Sequence, residues 1–124
     1  MGAQENKQTC QAAYDAFGRA DAEAAMRDID DSIVWTVSGN SSLTGTYTGK
    51  EKVGELWMAL LTKGFTNSPH DFIADGDKVV VLTSNTLDGE TQEAADILTF
   101  NADGKLAAFS TVGDTAVLDR VFPK

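Results

Sequence analysis

Within the 124 residues, the arrangement best suited to acid–base chemistry is one aspartate inside an apolar segment, EAADILTFNADGK, Glu93 to Lys105. Read as a β-strand running into a turn, the segment places Ala94, Asp96, Leu98 and Phe100 on one face. An ionised carboxylate among apolar side chains is costly, so such a group keeps its proton or finds a donor. The pattern therefore predicts an Asp96 carboxyl that titrates above an ordinary aspartate and can serve as an acid or a base. The alternative is a polar residue near a sheet edge, solvated or bonded to a Tyr or Thr.

Few other side chains offer chemistry. His70, in SPHDFIAD, is expected on the face of Phe72 and Ala74, where it either lines the same pocket as Asp96 or is a hydrogen-bonded structural histidine. Tyr14 and Trp57 sit on apolar helix faces, as core residues or as pocket wall. The lone Cys10 has no partner for an internal disulfide and reads as a small core residue. One histidine and one cysteine do not supply the usual transition-metal ligands, and the turn aspartates lack a calcium-loop spacing. No glycine-rich loop opens a helix, so no cofactor is expected.

The elements that must position these residues follow from pattern. Cys10, Ala13, Tyr14 and Phe17 keep helical spacing and predict a first helix over about 4–18. Asp21 is an expected N-cap for a short second helix. IVWTV predicts a strand over 32–38, with a brief strand around Tyr47. Thr48 and Glu51 form a capping box ahead of a third helix carrying Val53, Leu56, Trp57 and Leu60, ended by Gly64. Strands near 67–74, 78–87, 91–100 and 105–112 are separated by ADGD, LDGE and NADG turns. Val117, Leu118, Val121 and Phe122 fit a last short helix. Helices followed by antiparallel strands predict an α+β fold, one domain over 1–124, with a curved sheet wrapped around a helix to leave a conical cup.

Composition narrows the partners. Hydrophobic residues make up 42% and charged residues 23%, and the net charge is −9. Such a balance repels a phosphate backbone or an anionic membrane surface, so neither nucleic acid nor membrane is expected. No run approaches a bilayer span, and MGAQENKQTC lacks a signal's basic start and apolar block, which makes a cytoplasmic location the expectation.

The chain resembles the NTF2-like superfamily, and within it the SnoaL-like and ketosteroid-isomerase-like proteins. The resemblance rests on AYDAFGRADAEAAM, DDSIVW, LTGTYTGKEKV, ADGDKVVV and FNADGKLAAFSTVGDT in that order and spacing. It implies the conical α+β fold but no single reaction. Ketosteroid isomerases use a strand aspartate as base and a tyrosine with a protonated aspartic acid as oxyanion hole. DILTFNADGK places Asp96 at the protonated acid. Counting from Asp30 and Asp31 places Thr36 at the base, where a hydroxyl does not abstract a carbon-bound proton at neutral pH. Counting back from Asp21 places the tyrosine at Ala13, beside Tyr14. Epoxide-hydrolase-like and scytalone-dehydratase-like sites need a strand arginine or a second histidine that the chain lacks.

The resemblance thus implies a pocket for a small apolar organic molecule, bounded by Tyr14, Thr36, Trp57 and His70. Asp96 would be the acid or base of a cofactor-free isomerase, cyclase or lyase. The alternatives are a non-catalytic binding domain or a dimeric interaction module. With Thr36 pointing into the cup, Trp35 would point out, and an outward tryptophan together with the non-alternating VVVLT predicts a homodimer through the outer sheet face.

Overall fold

The computed structural model describes residues 2–124. The order is α1 (Ala3–Gly18), α2 (Ala22–Met26), β1 (Ile29–Val37), β2 (Gly45–Thr48), α3 (Lys50–Leu61), β3 (Thr66–Asp75), β4 (Lys78–Leu87), β5 (Glu90–Phe100), β6 (Leu106–Gly113) and α4 (Ala116–Val121). The predicted α+β architecture is present. Six strands form one sheet in the order β2-β1-β6-β5-β4-β3. All neighbours are antiparallel except β1 and β6, which run parallel, so the sheet is mixed where an antiparallel one was expected.

The helices cover one face. The α1 helix packs against β3, β4 and α2, while α3 packs against β1 and β2. Asp21 caps α2 as expected, its carboxylate accepting from the Ala24 amide at 3.1 Å. The Thr48–Glu51 capping box does not form: Gly49 is the residue before the helix, at φ 93°, with no side-chain cap. Thr48 is occupied in the β2 ladder, opposite Val34. Only a residue without a Cβ makes that abrupt passage from strand to helix at low cost.

Two irregularities in the ladders decide which side chains face inward. In β3, Pro69 pairs with Thr83 and Asp71 with Leu82, which leaves His70 as an extra residue. Proline lacks an N–H, and an edge strand with a bulge is where a sheet tolerates it. In β6, Ala108 pairs with Thr99 but Leu106 with Phe100, so Ala107 is extra and the facing of the strand changes there. Each bulge re-aims the residues on one side of it.

The core lies between the inner sheet face and the helices. Ile33, Val53, Val79 and Val81 are fully buried at its centre. On β1 the inward set is Ile33, Trp35 and Val37, and the exposed set includes Val34 and Thr36. The expectation for this strand is therefore reversed: Trp35 faces in and Thr36 faces out. The more apolar face of the strand has taken the core, and a residue count carried over from a related sequence did not override it. We expect Ile33→Ala to cost about 2–5 kcal/mol and Thr36→Ala to stay within about 0.5 kcal/mol in urea unfolding. Comparable costs for the two would contradict this facing.

Candidate functional site

Inner-face residues of β5 and β6 meet α1 around Asp96. The strand alternation puts Ala94, Asp96, Leu98 and Phe100 inward, and Asp96 is only 3% exposed. Its cross-strand partners are Val81 on β4 and Thr111 on β6. The Thr111 hydroxyl donates to Oδ1 at 2.9 Å, and the Tyr14 hydroxyl, from α1, donates to Oδ2 at 2.5 Å. Tyr14 is held in turn by an edge-on contact with Phe72, with ring centroids 5.6 Å apart.

Burial raises the pKa of Asp96 above the ordinary aspartate range, and the hydrogen bonds from Tyr14 and Thr111 pull the other way without cancelling it. Burial likewise pushes the Tyr14 hydroxyl well up, with the neighbouring Asp96 charge and the hydrogen bond adding to it. Tyr14 therefore remains a donor throughout the physiological range. The Cys10 thiol, buried beside Asp96, is pushed up to about 12, chiefly by burial. A thiol so protonated is not a nucleophile.

These groups border a cavity of about 230 Å³. Its walls are mainly apolar and aromatic, from Phe17, Trp35, Trp57, Phe65 and Phe109. Trp35 stacks on Phe109 at 3.7 Å between centroids, and Trp57 meets both Trp35 and Phe17 edge-on at 5.8 and 5.1 Å. Such an enclosure, apolar with a few convergent polar groups, is the usual form of a small-molecule site. Among the described residues no group of three His, Cys, Asp or Glu side chains converges to hold a metal.

The sequence-predicted residues divide. Asp96, Tyr14 and Trp57 come together at the cavity. Thr36 also borders it but is exposed, on the opposite side of β1 from Trp35. His70 does not line it. The bulge turns its ring outward, where Nε2 lies 2.5 Å from Ser84 Oγ and 3.3 Å from Glu93. Thr111 was not foreseen, because counting in twos from Leu106 predicts Ala108, Ser110 and Val112 inward, whereas Val112 is 59% exposed. Trp35 was assigned to the wrong face.

Residues 10–109 match the SnoaL-like domain family. The chain is a SnoaL-like protein. No curated protein matches it. Among solved structures, an NTF2-like protein of unknown function from Burkholderia pseudomallei is 24% identical with a TM-score of 0.83, over 97% of this chain and 98% of that one. A protein of unknown function with a cystatin-like fold from Xanthomonas campestris is 20% identical with a TM-score of 0.88, over 96% and 98%. TerC, co-crystallised with polyporic acid, is 25% identical with a TM-score of 0.81, over 94% and 96%. These likenesses show that this SnoaL-like protein has the NTF2-like, or cystatin-like, fold. No helix among the described residues is long and apolar enough to cross a membrane.

The raised pKa of Asp96 has a consequence for stability. Below an ordinary aspartate pKa of about 3.9 the folded and unfolded chains both hold the proton. Above it the unfolded chain ionises first, so the stability contributed by Asp96 is lost as pH rises through its folded pKa. Urea titrations of Asp96→Asn should show the variant gaining on the parent as pH rises from about 4. A gap that narrows over that range would contradict the direction of the shift.

Proposed function

We propose that this SnoaL-like protein is a cofactor-free acid–base catalyst that moves a proton on a small, largely apolar molecule carrying an enolisable carbonyl. Asp96 is the shuttling group. The observation that carries the reading is a buried carboxyl, raised in pKa and bonded to two hydroxyls, that borders an apolar cavity. As carboxylate, Asp96 takes the proton from carbon next to the carbonyl, and the C–H electron pair becomes the enolate. The carboxylic acid then returns the proton to another atom of the same molecule, so no external reactant is consumed. A raised pKa strengthens the base toward a carbon acid.

Tyr14 takes part through the same bond. While Asp96 is ionised, the Tyr14 hydroxyl donates to it. Once Asp96 is protonated its demand for donors falls, and the Tyr14 O–H is released toward the developing enolate oxygen. Thr111 holds the other carboxyl oxygen and fixes the orientation. Thr36, at the position of the isomerase base and facing outward, has no part in this scheme, which uses one carboxyl rather than two. The likeness to TerC, whose structure holds polyporic acid, supports an organic ligand in the cavity.

A non-catalytic binding domain is the second reading, and it is favoured by one fact: both carboxyl oxygens already accept a hydrogen bond, as in a purely structural carboxyl. Exchange of the C1 protons of 2-tetralone in deuterated water, followed by NMR, separates the two. We expect catalysed exchange that falls at least about 100-fold in Asp96→Asn and is unchanged in Thr36→Ala. Exchange unaffected by Asp96→Asn would overturn the assignment of the base.

We also propose a homodimer through the outer sheet face, on grounds other than Trp35. That face exposes the large apolar side chains of Val34 on β1, Ile73 on β3, Leu82 on β4 and Val112 on β6, and apolar residues gathered on one exposed face favour an interaction surface. A second copy presents the same patch and closes it by two-fold symmetry. Light scattering should give twice the chain mass, and Leu82→Lys should halve it. A monomeric parent chain would defeat the proposal.

A further inference from the structure

Three carboxamides stand in register across the inner face of the sheet, away from Asp96. Asn85 of β4 is paired with Asn67 of β3 on one side and with Gln92 of β5 on the other, and all three line the cavity. Asn67 Nδ2 donates to Asn85 Oδ1 at 2.6 Å, which leaves Asn67 Oδ1 buried with no partner. The pair therefore retains one acceptor, the Asn67 oxygen, and the donors of the Asn85 amide. A buried carbonyl oxygen without a donor is a rare and costly feature, and here it belongs to a residue that borders a space a ligand can fill.

A hydroxyl is the group that answers this pattern, since it donates to one amide and accepts from the next. Gln92 and Asp96 share a face of β5 four residues apart, about 13 Å along the strand. Between them stand Ala94, Gly113 opposite it on β6, and Thr83 opposite it on β4, which is buried and does not line the cavity. Among the described residues, the cavity lining contains Asp28, Glu90, Glu93 and Asp114 in addition to Asp96, but no Lys, Arg or His. An anionic ligand would find no countercharge there, and the net charge of −9 repels it at a distance.

We infer that the cavity takes an uncharged, elongated molecule of about two rings, with one oxygen at Asp96 and a hydroxyl at the far end read by Asn67, Asn85 and Gln92. The inference rests on the proposed role of Asp96 for the near end only. It makes the amide row the element that selects ligands by length and by the group at their tip.

The test uses two rigid probes on the full chain, 4-phenylphenol with one hydroxyl and 4,4′-dihydroxybiphenyl with one at each end. Their dissociation constants are read by quenching of Trp35 and Trp57 fluorescence. One added hydrogen-bonding site should favour the two-ended probe by about tenfold. Asn85→Ala should abolish that preference by bringing the two-ended probe to the affinity of 4-phenylphenol, and Gln92→Leu, with Asn85 intact, should reduce it. Equal affinities in the parent chain, no binding of either probe, or a preference that survives both variants would overturn the inference. Asp96→Asn should weaken both probes alike. If it weakens neither while Asn85→Ala still removes the preference, the amide row stands and the near-end role of Asp96 falls.

Discussion

A carboxyl group stays inside an apolar wall only if something donates to it, and this requirement ties the molecule together at Asp96. The two donors come from different elements, Tyr14 from the first helix and Thr111 from the last strand. The bond from Tyr14 spans 82 positions of sequence and fixes α1 against the middle of the sheet. The cavity is what remains between that helix, the third helix and the sheet. Its polar floor and its shape therefore share one cause, and loss of the carboxyl alters both.

The same bonds set the chemical character of the site. Burial favours the neutral acid, and the two hydroxyls favour the anion. A group balanced between these influences changes protonation at modest cost, which is what a proton shuttle requires. The aromatic wall of Trp35, Trp57 and Phe109 adds apolar contact area and keeps water from the carboxyl, while the opposite surface of the sheet carries the His70, Ser84 and Glu93 network. Strand alternation, corrected by the bulges in β3 and β6, thus keeps the carboxyl and the His70 network on opposite sides of the sheet.

How far the sequence could be read depended on whether local pattern and long-range register agreed. The face of Asp96 was legible because Ala94, Leu98 and Phe100 sit on the same unbroken run of β5. The helices, the α2 cap and nearly all strand positions were legible for the same reason. His70 was misassigned because the bulge at Pro69 and Asp71 shifts the facing within one strand, which no period-two count contains. Thr111 was hidden by the second bulge, at Ala107. The facing of β1 was misjudged by giving a motif count more weight than the apolar set Ile33, Trp35 and Val37. The amide row was invisible because Asn67, Asn85 and Gln92 meet only after two hairpins have closed.

The central claim is that Asp96 is a buried carboxyl holding its proton beyond the ordinary range, within reach of a ligand. A carbon-detected NMR titration of the Asp96 side-chain carboxyl measures it directly. The account predicts a midpoint above that of an ordinary aspartate, together with a response of the same carbon to a bound ligand. An ordinary or lowered midpoint would contradict it.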